Sequence, residues 1–302
     1  MTTLIVIGTV LALLALPAVL KPKGRPPLVG PDLASLVYTE VSFTNTIDEL
    51  QLGGMLFVPE GEGPHPAAVL IHGSGTSRRN SKWYLSIAAH LQKHGVAVLL
   101  PDKRGCEKSE GSWVGVTFEE LANDTLAAVD FMSQQDHVEA SSLGVIGMSQ
   151  GAWIASIVGA QRDDLAFVVS MSGGAVTTDE QLLHEEIYNI EPYTYSFLAR
   201  LIAPITTQRL LKMESLAPLA GFDPIPYWLQ TSAPVFFAYG GDDRNVSVEA
   251  SIARLRENGL DHHRIEVYPG GGHGISDPAT NEVSTEYLED LAEFIMEAAS
   301  EG

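Results

Sequence analysis

From about Leu36 onward, short apolar runs alternate with stretches of helical spacing, and that alternation leaves the chain few folds to choose from. PAAVLIHG, VAVLLPD, SLGVIGM, AFVVSMSG, PVFFAYGG and RIEVYPGG each read as a short buried strand, most of them closed by glycine or proline. SKWYLSIAAHLQKHG, FEELANDTLAAVDFMSQQ and SVEASIARLRENG lie between them, the first ending on Gly95, a residue suited to the position just past a helix. Strands joined through helices imply βαβ crossovers, and so a mainly parallel sheet with helices on both faces. Ahead of the alternation, LVYTEVSFTN and LQLGGMLFVPEGEGP predict an antiparallel hairpin at a sheet edge. Between about residues 174 and 232 the strand signals stop. DEQLLHEEIYNI and FLARLIAPITTQRLLKMESLA predict a helical lid inserted over the sheet, and STEYLEDLAEFIMEAA closes the chain as an amphipathic helix. A length of 302 residues suits one α/β domain, over 36–302, carrying that insertion.

Charge and the N-terminus bound the partners. With 38 acidic against 18 basic residues the formal charge is −20, which excludes nucleic acid, since no basic cluster is there to displace counterions from phosphates. A single cysteine, Cys106, excludes an intrachain disulfide. Residues 1–20, MTTLIVIGTVLALLALPAVL, carry no charge and approach the roughly 20 residues a helix needs to cross a bilayer. They predict a membrane anchor or an export signal. The anchor is favoured, because MTT lacks basic residues and LALPAVLKPKGR has no clean small-x-small cleavage site. Lys21, Lys23 and Arg25 follow, and the positive-inside tendency would keep the body cytoplasmic, with export as the alternative. KPKGRPP begins a linker over residues 21–35.

One nonapeptide points to chemistry. In VIGMSQGAW, Gly147-Met148-Ser149-Gln150-Gly151 forms G-x-S-x-G where a strand ends and a helix begins. There the serine occupies a tight, strained turn that lifts its hydroxyl above the sheet edge, and the glycines avoid collisions with neighbouring backbone. A serine needs a base, and the base needs a group to fix its tautomer. In a sheet of this kind the expected chain order is serine, acid, histidine, each past a strand's carboxyl end. PVFFAYGGDDRNV supplies Asp243 or Asp242, with Asp243 favoured by the G-x-x-D-x-x-V spacing of similar sequences, and RIEVYPGGGHGIS supplies His273. His262 and His263 precede their strand, while His65, His90, His94, His137 and His184 read as surface or packing residues. No H-E-x-x-H or comparable ligand spacing is seen, so no metal is expected. In VLIHGSGTSRR, His72-Gly73-Ser74-Gly75 is close to the H-G-G-G type of loop, and the oxyanion hole is expected from the main-chain amides of Ser74 and Gln150.

With these residues together, the chain resembles an α/β-hydrolase, and within that superfamily the bacterial serine esterases related to dienelactone hydrolases and prolyl-oligopeptidase-type catalytic domains. The likeness rests on VLIHGSG, PDKRGCEKSEGS, GVIGMSQGAW, AYGGDDRNV and GGGHGIS, in order, over Leu36 to the C-terminus. It implies acyl transfer from small esters to water through Ser149, Asp243 and His273, with no cofactor. A thioesterase or peptidase on the same three residues, or a non-catalytic scaffold, are the alternatives. Many relatives read D-x-R-G-x-G-x-S where this chain has Asp102-Lys103-Arg104-Gly105 and then Cys106-Glu107, a segment expected to shape the pocket rim. Cys106 lacks any strand-to-helix elbow and is not expected to act as nucleophile. The lid aromatics Tyr188, Tyr193, Tyr195, Phe197, Tyr227 and Trp228 either line an acyl pocket or pack the lid's own helices.

Overall fold

The computed structural model describes Val19 and residues 26–301. Eight strands form one sheet: β1 (Thr39–Asn45), β2 (Leu50–Phe57), β3 (His65–Ile71), β4 (Ala97–Pro101), β5 (Val138–Met148), β6 (Val168–Met171), β7 (Val235–Gly240) and β8 (Arg264–Tyr268). Their order is β1-β2-β4-β3-β5-β6-β7-β8. β1, β2 and β4 pair antiparallel, so the expected hairpin forms one edge, and every pairing from β4 to β8 is parallel.

Along the strands the side chains alternate between two cores, as a period of two requires. Ala67, Val69 and Ile71 of β3 face one core, in which Val129, Ile157 and Leu255 pack from helices α2 (Phe118–Ser133), α3 (Gln150–Gln161) and α7 (Val248–Glu257). Ala68 and Leu70 face the other, against Leu85 and Leu91 of α1 (Lys82–Lys93) and Leu291 and Ile295 of α8 (Thr285–Glu301). Burying apolar surface on both faces at about 25 cal/mol per Å² is what makes near-continuous apolar strands stable here and would leave them insoluble as an open sheet. α3 is buried from Gly151 through Gly159, sandwiched between the sheet and its neighbouring helices, which explains why its sequence shows no polar stripe.

Between β6 and β7 lie α4 (Thr178–Ile190), α5 (Ser196–Leu210) and the short α6 (Ile225–Trp228), and no strand. α4 starts on a capping box, Thr177 accepting from the Glu180 amide while the Glu180 carboxylate accepts from the Thr177 amide.

The expected membrane segment, residues 1–20, falls outside the described residues except for Val19. Among the described residues no helix is long and apolar enough to cross a membrane. Of the expected linker, residues 26–35 are tied to the domain rather than hanging from it. The Val29 amide donates to the Asn281 carbonyl at 2.8 Å, Leu28 and Leu33 pack on the second core, and Lys82 meets both the Pro31 carbonyl and Asp32.

The site is placed by the strand order. The chain runs from β3 outward to β4 on one side and from β5 to β8 on the other, so the direction of winding reverses between β3 and β5. The carboxyl ends of strands flanking such a reversal diverge into a crevice, the common place for a ligand in an open α/β sheet. Here those ends lead directly into His72-Gly73-Ser74 and into Ser149.

Candidate active site

Ser149 follows β5 and caps α3 with φ 55° and ψ −121°, a conformation sparsely populated by residues that carry a Cβ. Its amide is held by the Met171 carbonyl at 2.8 Å, and its own carbonyl accepts from the Ala152 amide at 2.9 Å. The flanking glycines are steric necessities: a Cβ on Gly147 would collide with the Gly151 carbonyl, and one on Gly151 with the Ile71 carbonyl at the end of β3. The elbow is therefore clamped by backbone on two sides, and its strained dihedrals are maintained by the fold around it.

The three residues expected to act together do meet. His273 Nε2 lies 2.8 Å from Ser149 Oγ, and His273 Nδ1 lies 2.9 Å from Asp243 Oδ2. A carboxylate only accepts, so Nδ1 carries the proton and Nε2 presents its lone pair to the serine hydroxyl. The Asp243 side chain is fully buried, and its Oδ1 accepts from the amides of Asn245 (2.8 Å) and Val246 (3.1 Å). These bonds aim the carboxylate at the imidazole. Asp242, the alternative acid, is exposed. Trp83 stands beside the imidazole, ring centroids 5.6 Å apart.

The expected oxyanion donors lie on the two loops at the crevice. Gln150 is the first residue of α3, so its amide has no intrahelical acceptor, and among the described residues no group accepts from the amide of Ser74 or Gln150. The Gly73 amide is otherwise engaged, donating to Tyr84 Oη at 2.7 Å.

The sequence profile of the alpha/beta hydrolase family matches residues 68–283. This chain belongs to the alpha/beta hydrolase family. Esterase EstD of Thermotoga maritima is 24% identical over 258 residues, 78% of this chain and 61% of that protein. The peroxisomal succinyl-coenzyme A thioesterase of Mus musculus is 22% identical over 77% of this chain and 54% of its own length. The chain thus spans between about half and three fifths of these relatives. Among solved structures, the Pyrococcus furiosus esterase Pf2001 superposes with a TM-score of 0.66 at 21% identity, covering 91% of this chain and 97% of that one. Est1E from Butyrivibrio proteoclasticus gives 0.61 at 19% identity, covering 86% and 99%. The alpha/beta hydrolase fold follows from these likenesses.

A cavity of about 560 Å³ opens over Ser149 and His273. Its aromatic walls are Trp83, Tyr84, Phe118 and Trp153, none of them a lid residue. Of the two expectations for the lid aromatics, lining the cavity is not met, whereas packing within the lid holds for part of the set: Tyr188 lies against His184 and Tyr195 stacks on Phe197. Tyr188, Tyr193 and Phe197 are exposed, Tyr227 stacks on Phe222, and Trp228 packs edge-on against Phe237 in the core. α4 turns Thr178, Gln181, Leu182 and Glu185 to the cavity, the i, i+3, i+4, i+7 face, and Tyr188, a turn further along much the same face, is exposed past the cavity. Glu185 brings a half-buried carboxyl whose pKa burial raises against the pull of His273.

The segment after β4 also departs from expectation. Asp102, Lys103 and Arg104 are all buried rather than at a pocket rim, because each finds partners. Arg79 grips Asp102 through two bonds of 2.8 and 2.6 Å, and Arg104 binds Asp48 and Asp124 at 2.6 Å each. Lys103 Nζ donates to the carbonyls of Gly73 (2.6 Å) and Gly75 (3.1 Å), which bracket Ser74. Burial pushes its pKa down to about 8. His72 Nε2 donates to the Pro101 carbonyl, 2.6 Å away, and burial lowers its pKa to about 4, so it stays neutral and structural. Nothing in the sequence marked Lys103 for this role, since it stands in the charged run Asp102-Lys103-Arg104.

Proposed function

We propose that this chain is a serine carboxylic ester hydrolase acting on small acyl esters, with Ser149 as nucleophile, His273 as general base and acid, and Asp243 as its orienting carboxylate. The observation that carries this reading is the unbroken pair of contacts, Ser149 Oγ to His273 Nε2 and His273 Nδ1 to Asp243 Oδ2, at 2.8 and 2.9 Å on a strained elbow. Ser149 Oγ attacks the ester carbonyl carbon as its proton passes to His273 Nε2. Negative charge gathers on the carbonyl oxygen and is met by the amides of Ser74 and Gln150; losing one such donor costs about 3–4 kcal/mol of transition-state stabilisation. The tetrahedral intermediate collapses, the alcohol leaves with the proton from His273, and an acyl-enzyme remains. Water then attacks with His273 again as base, releasing the acid and restoring Ser149. No step calls for a cofactor.

The apolar stretch of the cavity, from Phe118 and Trp153 to Leu211, Leu216 and Leu219, suits an acyl chain, while Arg78, Asn80 and Ser81 offer polar contacts at another part of the wall. Residues 1–20 are proposed to attach the enzyme to a membrane or to direct its export.

A fluorophosphonate probe should label the protein on Ser149 and leave Ser149→Ala unlabelled; absence of labelling in a folded, soluble parent protein would sink the assignment. A p-nitrophenyl ester series, run beside acyl-coenzyme A and aminoacyl-anilide substrates, should show kcat/KM highest for the esters. Preference for acyl-coenzyme A would make the chain a thioesterase on the same three residues.

A further inference from the structure

Away from the cavity, α1 and α8 pack against each other on the second core, and three side chains that hydrolysis does not use converge where they meet. His90 lies in the last turn of α1 and His94 is its C-cap residue, so the two are i, i+4 neighbours on one helix face. Their rings stack with centroids 4.0 Å apart and planes 25° from parallel. Glu289, in α8, sets one carboxylate oxygen 3.8 Å from His90 Nε2 and the other 3.7 Å from His94 Nε2. One ligand atom from each of the three residues can be chosen so that all lie within 4.8 Å of one another.

The protonation pattern is that of a ligand set. His94 Nδ1 lies 2.8 Å from the His90 carbonyl, which can only accept, so Nδ1 carries the proton and Nε2 holds a bare lone pair. A ring nitrogen fixed by a backbone carbonyl while the other faces a metal is the usual second-shell arrangement of a ligating histidine. His90 Nε2 is buried with no hydrogen-bond partner, a state that costs about 1–3 kcal/mol and calls for something to complete it.

We propose that His90, His94 and Glu289 form a binding site for a divalent transition-metal ion of the zinc type, with solvent completing the coordination. Ligands about 2.0–2.1 Å from a tetrahedral ion stand about 3.3–3.5 Å apart, so the three ligand atoms, now within 4.8 Å of one another, close on the ion through side-chain rotations of up to about 1.5 Å, open to Glu289, whose side chain is 58% exposed, and to His94 at the helix end. Two imidazoles with one carboxylate select such an ion over Mg²⁺ or Ca²⁺, which take oxygen ligands. Because α1 also carries Trp83 and Tyr84, about 10–17 Å back along the helix, the ion would pin to α8 the helix that walls the cavity. The site departs from the sequence-based expectation of no metal, which took His90 and His94 as surface or packing residues: the carboxylate that completes the set comes from a residue almost two hundred positions later.

The test uses untagged full-length protein freed of metal with EDTA. Adding Co²⁺ should produce the d–d absorption of a low-coordinate site, saturating near one equivalent, and Zn²⁺ should raise Tm by several degrees. His94→Ala and Glu289→Gln should abolish or strongly weaken both responses while melting like the parent in EDTA, and His262→Ala should keep them. Should His94→Ala fail to fold, the exposed Glu289→Gln decides the matter. A parent protein whose Tm ignores Zn²⁺, or a response undiminished in Glu289→Gln and His94→Ala, overturns the proposal.

Discussion

Ser149 combines a chemical demand with a conformational one. Its φ of 55° and ψ of −121° cost roughly 1–3 kcal/mol for a residue with a Cβ, whereas glycine visits positive φ freely. Glycine destabilises a helix interior relative to alanine, but at this N-cap, with its positive φ, it should be the better of the two. Ser149→Gly and Ser149→Ala should both lose ester hydrolysis by at least about ten-thousand-fold, while thermal melting finds the glycine variant at or above the alanine one. Lys103 makes a second prediction, because its ammonium bridges the carbonyls on either side of Ser74. Its folded pKa of about 8 lies below the unfolded value, so between about pH 8 and 10.5 the folded protein binds fewer protons than the unfolded chain. Its contribution to stability therefore rises with pH across that window, by roughly 3 kcal/mol in all. Activity should move the other way, since losing the charge weakens the bonds that hold the oxyanion loop. Lys103→Met is expected to lower kcat about ten-fold with little change in KM, to remove the alkaline fall near pH 8, and to leave Tm unchanged or higher. An unaltered pH profile would place Lys103 outside the loop's positioning.

At the scale of elements, the site depends on one close approach and one helix face. Where α3 leaves β5, Gly151 passes so near the Ile71 carbonyl that a methyl group must displace backbone rather than a flexible side chain. Gly151→Ala should cost about 2–3 kcal/mol in denaturant melts and lower activity in the fraction that folds. α4 is more forgiving, because its cavity face contacts space. Leu182→Trp would fill part of the apolar wall. Hydrolysis of longer acyl esters should then fall about ten-fold or more relative to acetate, as one to three kcal/mol of lost pocket volume implies. Equal losses across the ester series would show that the acyl chain lies elsewhere. α5 leaves Phe197, Leu201 and Ile205 exposed at i, i+4 and i+8, an outward face that takes no part in lining the cavity.

For the whole molecule the dominant global property is charge. A formal −20 over 302 residues makes the folded state repel itself, and the buried clusters around Arg79 and Arg104 neutralise only a few of those carboxylates locally. Raising NaCl from low salt to about 0.5 M shortens the screening length to a few ångströms and should raise Tm, as differential scanning fluorimetry would show. A Tm that falls with salt would mean that the ion pairs outweigh the self-repulsion.

The alternation of strand and helix, the edge hairpin, the strand-free stretch after β6 and the elbow at Ser149 are all written locally. Each rests on neighbours within a few residues: a period of two or 3.6, a glycine that avoids a clash, a strand exit that becomes a helix start. The loops that carry Ser149, the Asp242-Asp243 pair and His273 could be chosen before any coordinates because chain order in an α/β sheet dictates which loops share a rim, while Asp243 was favoured over Asp242 by resemblance alone. What periodicity encodes is that a side chain faces inward, never which distant residue it will face. So the aromatic walls of the cavity, the Lys103 bridge behind Ser74 and the meeting of His90, His94 and Glu289 were decided only by tertiary packing, which brings α1, α4, α8 and the loop after β4 to particular depths and rotations on the sheet.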